Sequence, residues 1–461
     1  MCKFFRRSFL FLFFIIGVSA NLKAQIRINT IQVEGNKRTK NYILLRELPY
    51  RVGDQINKDS LTILNTLSQQ QLFNTTLFLF VQVTPVYPLK NDSSIVDIKI
   101  QVKERWYFIP KPYFKWIDRN FNQWWTEQNR SLDRVNYGIT LSQKNATGNN
   151  DKLVIGFIGG YTQQNIIQYQ LPFFDKKLKY GIGGGWQNYN QKEFNYNTEK
   201  DKQVFAKTND IIRKGYRANV NLSYRPNLFE RYSLQLGYGN DQLSDSGFLI
   251  QPNFLATQKK EMTYGDIALG YTKIAFDYNA YPTKGAGTEL LLFQRFSKGA
   301  PFTSIQFRKL KAHSFSKQNF IFIESNSQVK FLANDNFLDR RLLGYGNLQM
   351  NGLEYYVVDG NAATILKTAF HHSLGSFTVK NPITQKFLPE VKYDFWIRVF
   401  TNLGYVYSDR PLNNNKLSNT LIRTAGIGLD VISIYDFVLK IDYSVNQLGD
   451  KGVYLHGGIN F

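Results

Sequence analysis

From about residue 106 to the end of the chain, apolar and polar side chains alternate. In segment 437–446, the odd positions are Phe, Leu, Ile, Tyr and Val, and most even positions are polar or charged. A period of two residues is typical of a β-strand with one apolar and one polar face. We therefore predict sixteen strands, over residues 107–116, 133–143, 151–161, 164–172, 177–189, 214–225, 230–240, 263–277, 286–297, 302–313, 318–331, 361–373, 393–408, 419–432, 436–447 and 452–461.

The spacing of these strands predicts an all-β transmembrane barrel of about 16 antiparallel strands. Their number is even, and long connections fall on one side with mostly short turns opposite. A soluble sandwich would alternate in the same way but would be about half as long. Two segments do not fit simply, because 374–392 is long for the short-turn side and a weak strand at 202–207 would change the count. The long connections are 117–132, 190–213, 241–262, 332–360 and 409–418.

The preceding residues predict one small α+β domain. Gly35 and Asn36 form a turn signal, and Thr39 is placed to cap the helix that follows. The second helix repeats leucine at near-helical spacing and is expected to pack through that leucine face. The predicted elements are a strand over 26–33, helices over 40–48 and 58–72, and strands over 77–85 and 95–102.

The N-terminus predicts export. Basic residues precede an apolar run over 8–18, and small residues follow up to Ala24. This is the pattern of a secretory signal peptide over residues 1–24, with cleavage after Ala20 as the alternative. Cys2 is the only cysteine and would leave with this segment. No later apolar stretch approaches the ~18 residues of a transmembrane helix, so the exported chain would cross a membrane only as a barrel.

Composition agrees with a strand-rich protein in a lipid setting. Aromatic residues make up 15% of the chain, which favours strands over a helical core. The net charge is +22, or +18 without the four basic residues of segment 1–24. Lys and Arg are scattered rather than clustered, so we expect anionic lipid headgroups and unfolded polypeptides as partners, and no nucleic acid.

Short motifs of the N-terminal domain resemble a known module. Their order and spacing are similar to those of a POTRA domain, the periplasmic polypeptide-binding module of the BamA/TamA outer-membrane assembly superfamily. The resemblance implies a POTRA domain over 25–104 and an outer-membrane barrel over 105–461. The motifs are IQVEGN at 31–36, REL at 46–48, Gly53, LF at 72–73 and VKER at 102–105.

The resemblance also directs attention to the long connection 332–360. In the superfamily, the corresponding sixth outer loop folds back into the barrel and presents an Arg-Gly-aromatic tip. Two placements of this tip are possible here, Leu343-Gly344-Tyr345 or Asn351-Gly352-Leu353. Neither supplies an arginine for a charge pair with the inner wall, although Arg340 and Arg341 lie near the first placement. A plain surface loop is the alternative.

The first and last barrel strands are expected to form a weak lateral seam. Pro110 and Pro112 remove two amide donors from the first strand, and Gly457 and Gly458 weaken the last. The final strand also resembles the C-terminal signal that barrel-assembly machinery recognises in outer-membrane proteins. The residues that carry that resemblance are Leu455, Ile459 and Phe461.

We find no sequence pattern that indicates catalysis. The nucleophile elbow, the phosphate-binding loop and the zinc-protease motif are all absent from the sequence. Asp335 and Asp339 are more typical of turns than of a calcium site. Trp124 and Trp125 are interpreted as an interface anchor, with a ligand-stacking platform as the alternative. We expect no enzyme activity, no cofactor and no metal.

The resemblance implies a function at the outer membrane. We expect a protein with its POTRA domain in the periplasm that assists insertion or translocation of polypeptides. The expected partners are unfolded outer-membrane or exported polypeptides, outer-membrane lipid and lipopolysaccharide, and accessory lipoproteins. The alternatives are a passive or gated pore, or a structural surface protein that has lost assembly activity.

Overall fold

The computed structural model describes residues 25–88, 94–116, 129–130, 135–380, 390–412 and 414–457. Within these ranges a four-stranded sheet with two helices precedes a sixteen-stranded antiparallel sheet. None of the described helices has the length and apolar character needed to cross a membrane. The predicted signal peptide, Trp124, Trp125 and the segment 458–461 lie outside the described residues.

The N-terminal domain has one more strand than the sequence predicts. The short strand β2 pairs with β1, and the sheet order is β2-β1-β4-β3, with β1 and β4 parallel. Three residues are too few to show a period, which explains why the pattern missed β2. The elements are β1 (Gln25–Glu34), α1 (Asn41–Arg46), β2 (Gln55–Asn57), α2 (Leu61–Asn74), β3 (Phe78–Val86) and β4 (Ile95–Glu104).

The predicted turn adopts a conformation that requires glycine. Gly35 has a φ of 93°, and an added Cβ would lie 2.0 Å from the carbonyl oxygen of Val102. Asn36 donates from Nδ2 to the carbonyl oxygen of Thr39. The prediction that Thr39 caps the first helix is wrong, because Lys40 is the N-cap and no side chain caps it. The Thr39 hydroxyl instead contacts the hydroxyl of Tyr107 at 2.9 Å.

The core of this domain lies between the sheet and both helices. The buried face of α2 is mixed, since Asn65, Ser68 and Gln71 are buried along with Leu61 and Leu72. The polar groups are satisfied locally, for example by the bond from Tyr50 Oη to Asn65 Oδ1 at 2.7 Å. The leucine face therefore describes only part of the packing. The most buried apolar residues are Ile26, Ile28, Ile43, Leu44, Leu48, Leu72, Leu77, Phe78, Val96, Ile98 and Ile100.

The large sheet confirms the predicted barrel, since each of the sixteen predicted segments overlaps one of its strands. Two further strand pairs lie outside this sheet, β10 with β11 and β18 with β19. The strands are β5 (Phe108–Trp116), β6 (Val135–Lys144), β7 (Lys152–Gly160), β8 (Thr162–Leu171), β9 (Tyr180–Gln191), β10 (Glu193–Glu199), β11 (Lys202–Lys207), β12 (Arg213–Tyr224), β13 (Glu230–Leu243), β14 (Glu261–Phe276), β15 (Gly285–Ser297), β16 (Phe302–Ser314), β17 (Asn319–Leu332), β18 (Arg341–Leu343), β19 (Val358–Asp359), β20 (Ala362–Lys380), β21 (Glu390–Tyr407), β22 (Leu421–Ile432), β23 (Val438–Asn446) and β24 (Lys451–Gly457).

The two doubtful segments have simple explanations. The weak strand at 202–207 is β11, but it pairs with β10 in a hairpin beyond the barrel, so the barrel count stays at sixteen. Most of 374–392 is strand, because β20 extends to Lys380 and β21 begins at Glu390. Residues 381–389 lie outside the described range.

The large sheet reverses the layout of a soluble protein. Outward-facing side chains such as Val220 and Val399 are more than half exposed, whereas charged residues such as Asp266 and Arg398 are buried inside. Tyrosines gather on the outer face at one end, where the rings of Tyr180, Tyr224, Tyr232 and Tyr271 lie 4.9–6.2 Å from their neighbours. An apolar outer band with an aromatic girdle and a polar interior is typical of a barrel in lipid.

Candidate functional site

The N-terminal domain is joined to one mouth of the barrel by a buried ion pair. Arg105 donates from Nη1 and Nη2 to the two carboxylate oxygens of Asp436, at 2.6 and 3.1 Å. Asp436 lies in the connection between β22 and β23, and Tyr278, from the connection between β14 and β15, also donates to it at 2.7 Å. Both members of the pair are almost fully buried. The domain is therefore fixed to two separate turns.

A second group of contacts holds the domain on the other side of the mouth. Arg225, at the end of β12, makes a bidentate pair with Glu47 at 2.6 and 2.8 Å. Arg46 donates from Nε to the carbonyl oxygen of Leu178, at 2.7 Å. Burial lowers the pKa of Arg46 to about 10, with the neighbouring charge of Arg225 acting in the same direction. Together the two groups place the domain across the barrel mouth.

The connection between β17 and β20 runs into the barrel rather than over its surface. We call residues 333–361 the inward loop. Its apolar residues form a buried cluster with the inner side of β20, β21 and β22. From the loop the cluster contains Leu342, Leu343, Leu348, Met350, Leu353 and Val358, and from the wall and a neighbouring loop it contains Ala363, Ile365, Val406, Leu417 and Ile422.

The innermost contact of the loop is made by Asn351-Gly352-Leu353. Asn351 donates from Nδ2 to Asp442 Oδ2 on β23 at 2.8 Å. Gly352 has a φ of 88°, and its carbonyl oxygen accepts from Nδ2 of Asn446 at 3.0 Å. A Cβ on Gly352 would lie 3.0 Å from the side chain of Thr424. This placement of the tip therefore meets the inner wall closely, through hydrogen bonds rather than through a loop cation.

The other placement, Leu343-Gly344-Tyr345, lies farther out. Gly344 has a φ of 84°, and its amide donates to the carbonyl oxygen of Leu348 at 2.8 Å. The hydroxyl of Tyr345 is 3.2 Å from that of Thr198 on β10. This segment thus packs the inward loop against the outer β10–β11 hairpin.

Arg340 and Arg341 do not replace the missing loop arginine at the inner wall. Arg340 binds Asp335 at 2.6 Å and the carbonyl oxygen of Arg410 at 2.8 Å. Arg341 donates to the carbonyl oxygen of Asn195. Asp339, the other carboxylate considered above, pairs with Arg295 at 2.5–2.8 Å. In the described part of the chain, no group of three or more His, Cys, Asp and Glu residues is arranged to hold a metal ion.

The cation that faces the loop tip comes from the barrel wall. Arg398 on β21 donates from Nη2 to Asp442 Oδ1 at 2.6 Å and to Asp430 Oδ1 at 3.1 Å. Tyr281 donates to Asp430 at 2.9 Å and lies 2.8 Å from Nδ1 of His371. Arg398, Tyr281 and His371 line an interior cavity of about 1480 Å³ that the inward loop also borders.

The two end strands of the sheet, β5 and β24, form the candidate seam. In the described residues, β5 pairs only with β6 and β24 only with β23. The amide of Lys144 donates to the carbonyl oxygen of Tyr107, so alternate residues from Tyr107 onward face β6. Pro110 and Pro112 belong to the other set, whose backbone faces the open edge. The two absent amide donors are therefore ones that would have faced the seam.

The inward loop also contacts the seam strand β24. Glu354 Oε1 lies 3.2 Å from Nε2 of His456, and the rings of Tyr355 and Tyr454 lie 5.6 Å apart. The hydroxyl of Tyr356 donates to Asp450, which immediately precedes β24. The loop thus connects the inner wall of β21–β23 with the edge that faces β5.

Comparison with known proteins agrees with this arrangement. A family model for POTRA, described as "Surface antigen variable number repeat", matches residues 26–105. Among solved structures, the chain is similar to BamA from Haemophilus ducreyi lacking POTRA domains 1–3, with a TM-score of 0.51, 15% identity and coverage of 94% of this chain and 84% of that one. By fold, the chain resembles BamA.

A second solved structure has a similar fold. CdiB from Escherichia coli matches with a TM-score of 0.54 and 12% identity, over 94% of this chain and 75% of that one. No curated protein matches the chain at significant similarity. At these identities the likeness concerns the fold alone.

Sequence reasoning missed the wall residues of this barrel. Arg398, Asp430 and Asp442 do not stand out in the sequence, because a polar residue at every second strand position is ordinary for a barrel. The signal that identifies them is opposite charge on neighbouring strands of the inner face. Leu455 lies on the outer side of β24 and is 70% exposed, while Gly458, Ile459 and Phe461 lie outside the described residues.

Proposed function

We propose that this chain is an outer-membrane protein that assists insertion or translocation of polypeptides through a POTRA domain and a laterally opening barrel. The proposal rests on the seam. Its β5 edge lacks the amide donors of Pro110 and Pro112, and in the described residues no ladder joins β5 to β24. The missing donors weaken closure of the seam, and an open seam exposes the remaining backbone groups of β5 and β24 to an extended chain without demanding a particular sequence. We infer that residues 1–24 are removed on export and that the POTRA domain lies in the periplasm.

The expected partners follow from this mechanism. Unfolded outer-membrane or exported polypeptides would engage the POTRA domain and then the seam, while lipid and lipopolysaccharide surround the barrel. Accessory lipoproteins remain a prediction of the resemblance. The mechanism requires no catalytic residue, cofactor or nucleotide hydrolysis, because strand exchange and the burial of apolar surface supply the driving force.

The test closes the seam covalently. Lys111→Cys on β5 is combined in turn with Tyr454→Cys and His456→Cys on β24, in a chain that also carries Cys2→Ser. The control disulfide joins Ile427→Cys and Tyr443→Cys, which are direct partners on β22 and β23. After depletion of the native copy, the levels of outer-membrane proteins are measured with and without reductant. We expect the seam disulfide alone to block function, reversibly. Unchanged function with a closed seam would contradict the proposal.

The alternative function is a pore, and a conductance measurement tests it. The inward loop and the POTRA domain occupy the lumen and one mouth, so we expect low, flickering conductance in planar bilayers. A wide and stable opening would favour the pore. A surface protein without assembly activity is distinguished by the depletion experiment, in which no outer-membrane protein would disappear.

A further inference from the structure

Strands β20 and β21 continue beyond both of their neighbours at the barrel end that carries the POTRA domain. β17 begins at Asn319, which pairs with His372, and β22 ends at Ile432, which pairs with Asp394. From Gly375 to Lys380 and from Glu390 to Tyr393, the described strands pair only with each other. Ser373 still donates to the carbonyl oxygen of Gln318, and Asp394, Phe395 and Trp396 still pair with β22. We call residues 373–380 and 390–396 the ribbon.

The ribbon has one apolar and one polar face. Residues directly opposite each other in an antiparallel pair share a face. The ring of Phe377 lies 5.2 Å from that of Phe395 and 5.5 Å from that of Tyr393. Val379 pairs with Val391 on the same face. The opposite face carries the pairs Ser376 with Asp394, Thr378 with Lys392, and Lys380 with Glu390.

The apolar face continues the outer face of the barrel. On β21, Val399 and Leu403 are exposed outward, and Phe395 lies on the same side by alternation. On β20 a bulge between Ser373 and Gly375 shifts the alternation by one residue. Because of this shift, Phe377 and the outward-facing Phe370 lie on the same side. Without the bulge, the apolar side chains of the ribbon would face the barrel mouth.

With the ribbon included, β20 and β21 are too long to lie entirely within the hydrocarbon core. β20 has 19 residues, whereas about 9–11 tilted residues span the core. Seven residue steps from 373 to 380 add about 23 Å of strand. Phe377 and Val379 are 52% and 45% exposed, so an apolar surface extends past the rim of the barrel. Gly375 has a φ of 111° and provides a point at which the ribbon can bend.

We propose that the ribbon is a lipid-binding element that lies on the inner leaflet of the outer membrane. Its rings and valines insert at the boundary between headgroups and acyl chains, where aromatic side chains are favoured. The opposite face carries balanced charges, since Lys392 pairs with Asp394 at 2.7 Å and Lys380 lies opposite Glu390, so this face remains in water. The inference rests on the membrane placement of the barrel, but not on insertion or translocation activity.

Spin labels at three positions test this arrangement. Cys2 is the only cysteine in the chain, so Cys2→Ser provides a background without thiols. Val379→Cys reports the apolar face, Thr378→Cys reports the polar face, and Val399→Cys is the matched control on the barrel wall. Each labelled protein is reconstituted in phospholipid vesicles, and a shift between heated and unheated gel mobility confirms that the barrel is folded. Collision rates with oxygen and with a water-soluble nickel chelate are then compared.

The labels at 379 and 399 should both collide more with oxygen than with nickel, and the label at 378 should show the reverse. A label at 379 that collides mainly with nickel would place the ribbon in the periplasm and overturn the proposal. A label at 379 that is shielded from both reagents would indicate a polypeptide partner and would overturn it as well. If the label at 399 itself collided mainly with nickel, the membrane placement of the barrel would fail first.

Discussion

At the scale of single residues, the inward loop is anchored by an amide because the wall already contains the cation. Arg398 binds Asp442 at 2.6 Å on one carboxylate oxygen, and Asn351 donates to the other at 2.8 Å. A loop arginine at this position would bring a second positive charge close to Arg398. The neutral tip is therefore a fitting partner for this wall, and the missing arginine does not imply a loose loop.

Replacing Asn351 by alanine should loosen the tip. The substitution removes a hydrogen bond to a buried carboxylate, for which we expect a loss of about 1.5–3 kcal/mol in the free energy of unfolding. Asn347→Ala is the matched control, since Asn347 is exposed in the same loop. Denaturant titration of the refolded barrel measures both variants. Equal stability of the two would show that the contact with Asp442 does not anchor the loop.

At the scale of elements, the junction between the POTRA domain and the barrel depends on a buried charge. Arg105→Met leaves Asp436 without its cation, and we expect a loss of about 3–5 kcal/mol. Adding Asp436→Asn should recover part of that loss, because the carboxylate that lost its bidentate partner is then neutral. The control pair, Lys260→Met with Asp245→Asn, is exposed and should change stability by less than about 1 kcal/mol. A full set of single and double variants, unfolded in denaturant, measures the coupling.

The seam edge offers a second prediction at this scale. Pro110→Ala with Pro112→Ala restores two amide donors to the open edge of β5. Each new hydrogen bond is worth about 0.5–1.5 kcal/mol, so the closed seam should gain about 1–3 kcal/mol. Every 1.4 kcal/mol would slow opening about tenfold. Proteoliposomes that take up an unfolded outer-membrane protein measure the rate, with Pro301→Ala in an exposed turn as the control. An unchanged rate would argue against the seam as the exit.

The elements also show which features a sequence pattern can predict. Barrel strands were predictable because the outer face must be apolar over the whole width of a bilayer. The hairpin formed by β10 and β11 has the same period, but Phe194 and Ala206 are buried against Phe254 in a loop cluster rather than facing outward. The choice between Leu343-Gly344-Tyr345 and Asn351-Gly352-Leu353 depended on Asp442, which lies 91 residues beyond Asn351. Such pairings depend on tertiary contacts, and the local alternation of apolar and polar residues does not reveal them.

At the scale of the whole molecule, two structures restrict the lumen. The POTRA domain is held to several turns at one mouth, and the inward loop packs against β20–β24 from inside. The loop also contacts β24 through Glu354 and His456, so the element that fills the lumen supports the seam strand as well. The same loop thus fills part of the lumen and contacts the seam strand.

Deleting the inner part of the loop should empty that part of the lumen and remove the contacts with β24, while the barrel itself stays folded. Replacing residues 345–356 by a short Gly-Ser linker removes Asn351, Glu354 and Tyr356, but keeps all sixteen barrel strands. We expect a stable conductance in planar bilayers where the intact chain flickers, together with reduced assembly activity because β24 loses its inner support. Asn347→Ala in the intact loop serves as the control and should keep the low conductance. If the deletion variant stayed closed while its gel mobility showed a folded barrel, the POTRA domain alone would be the block, and the proposed role of the loop in the lumen would be wrong.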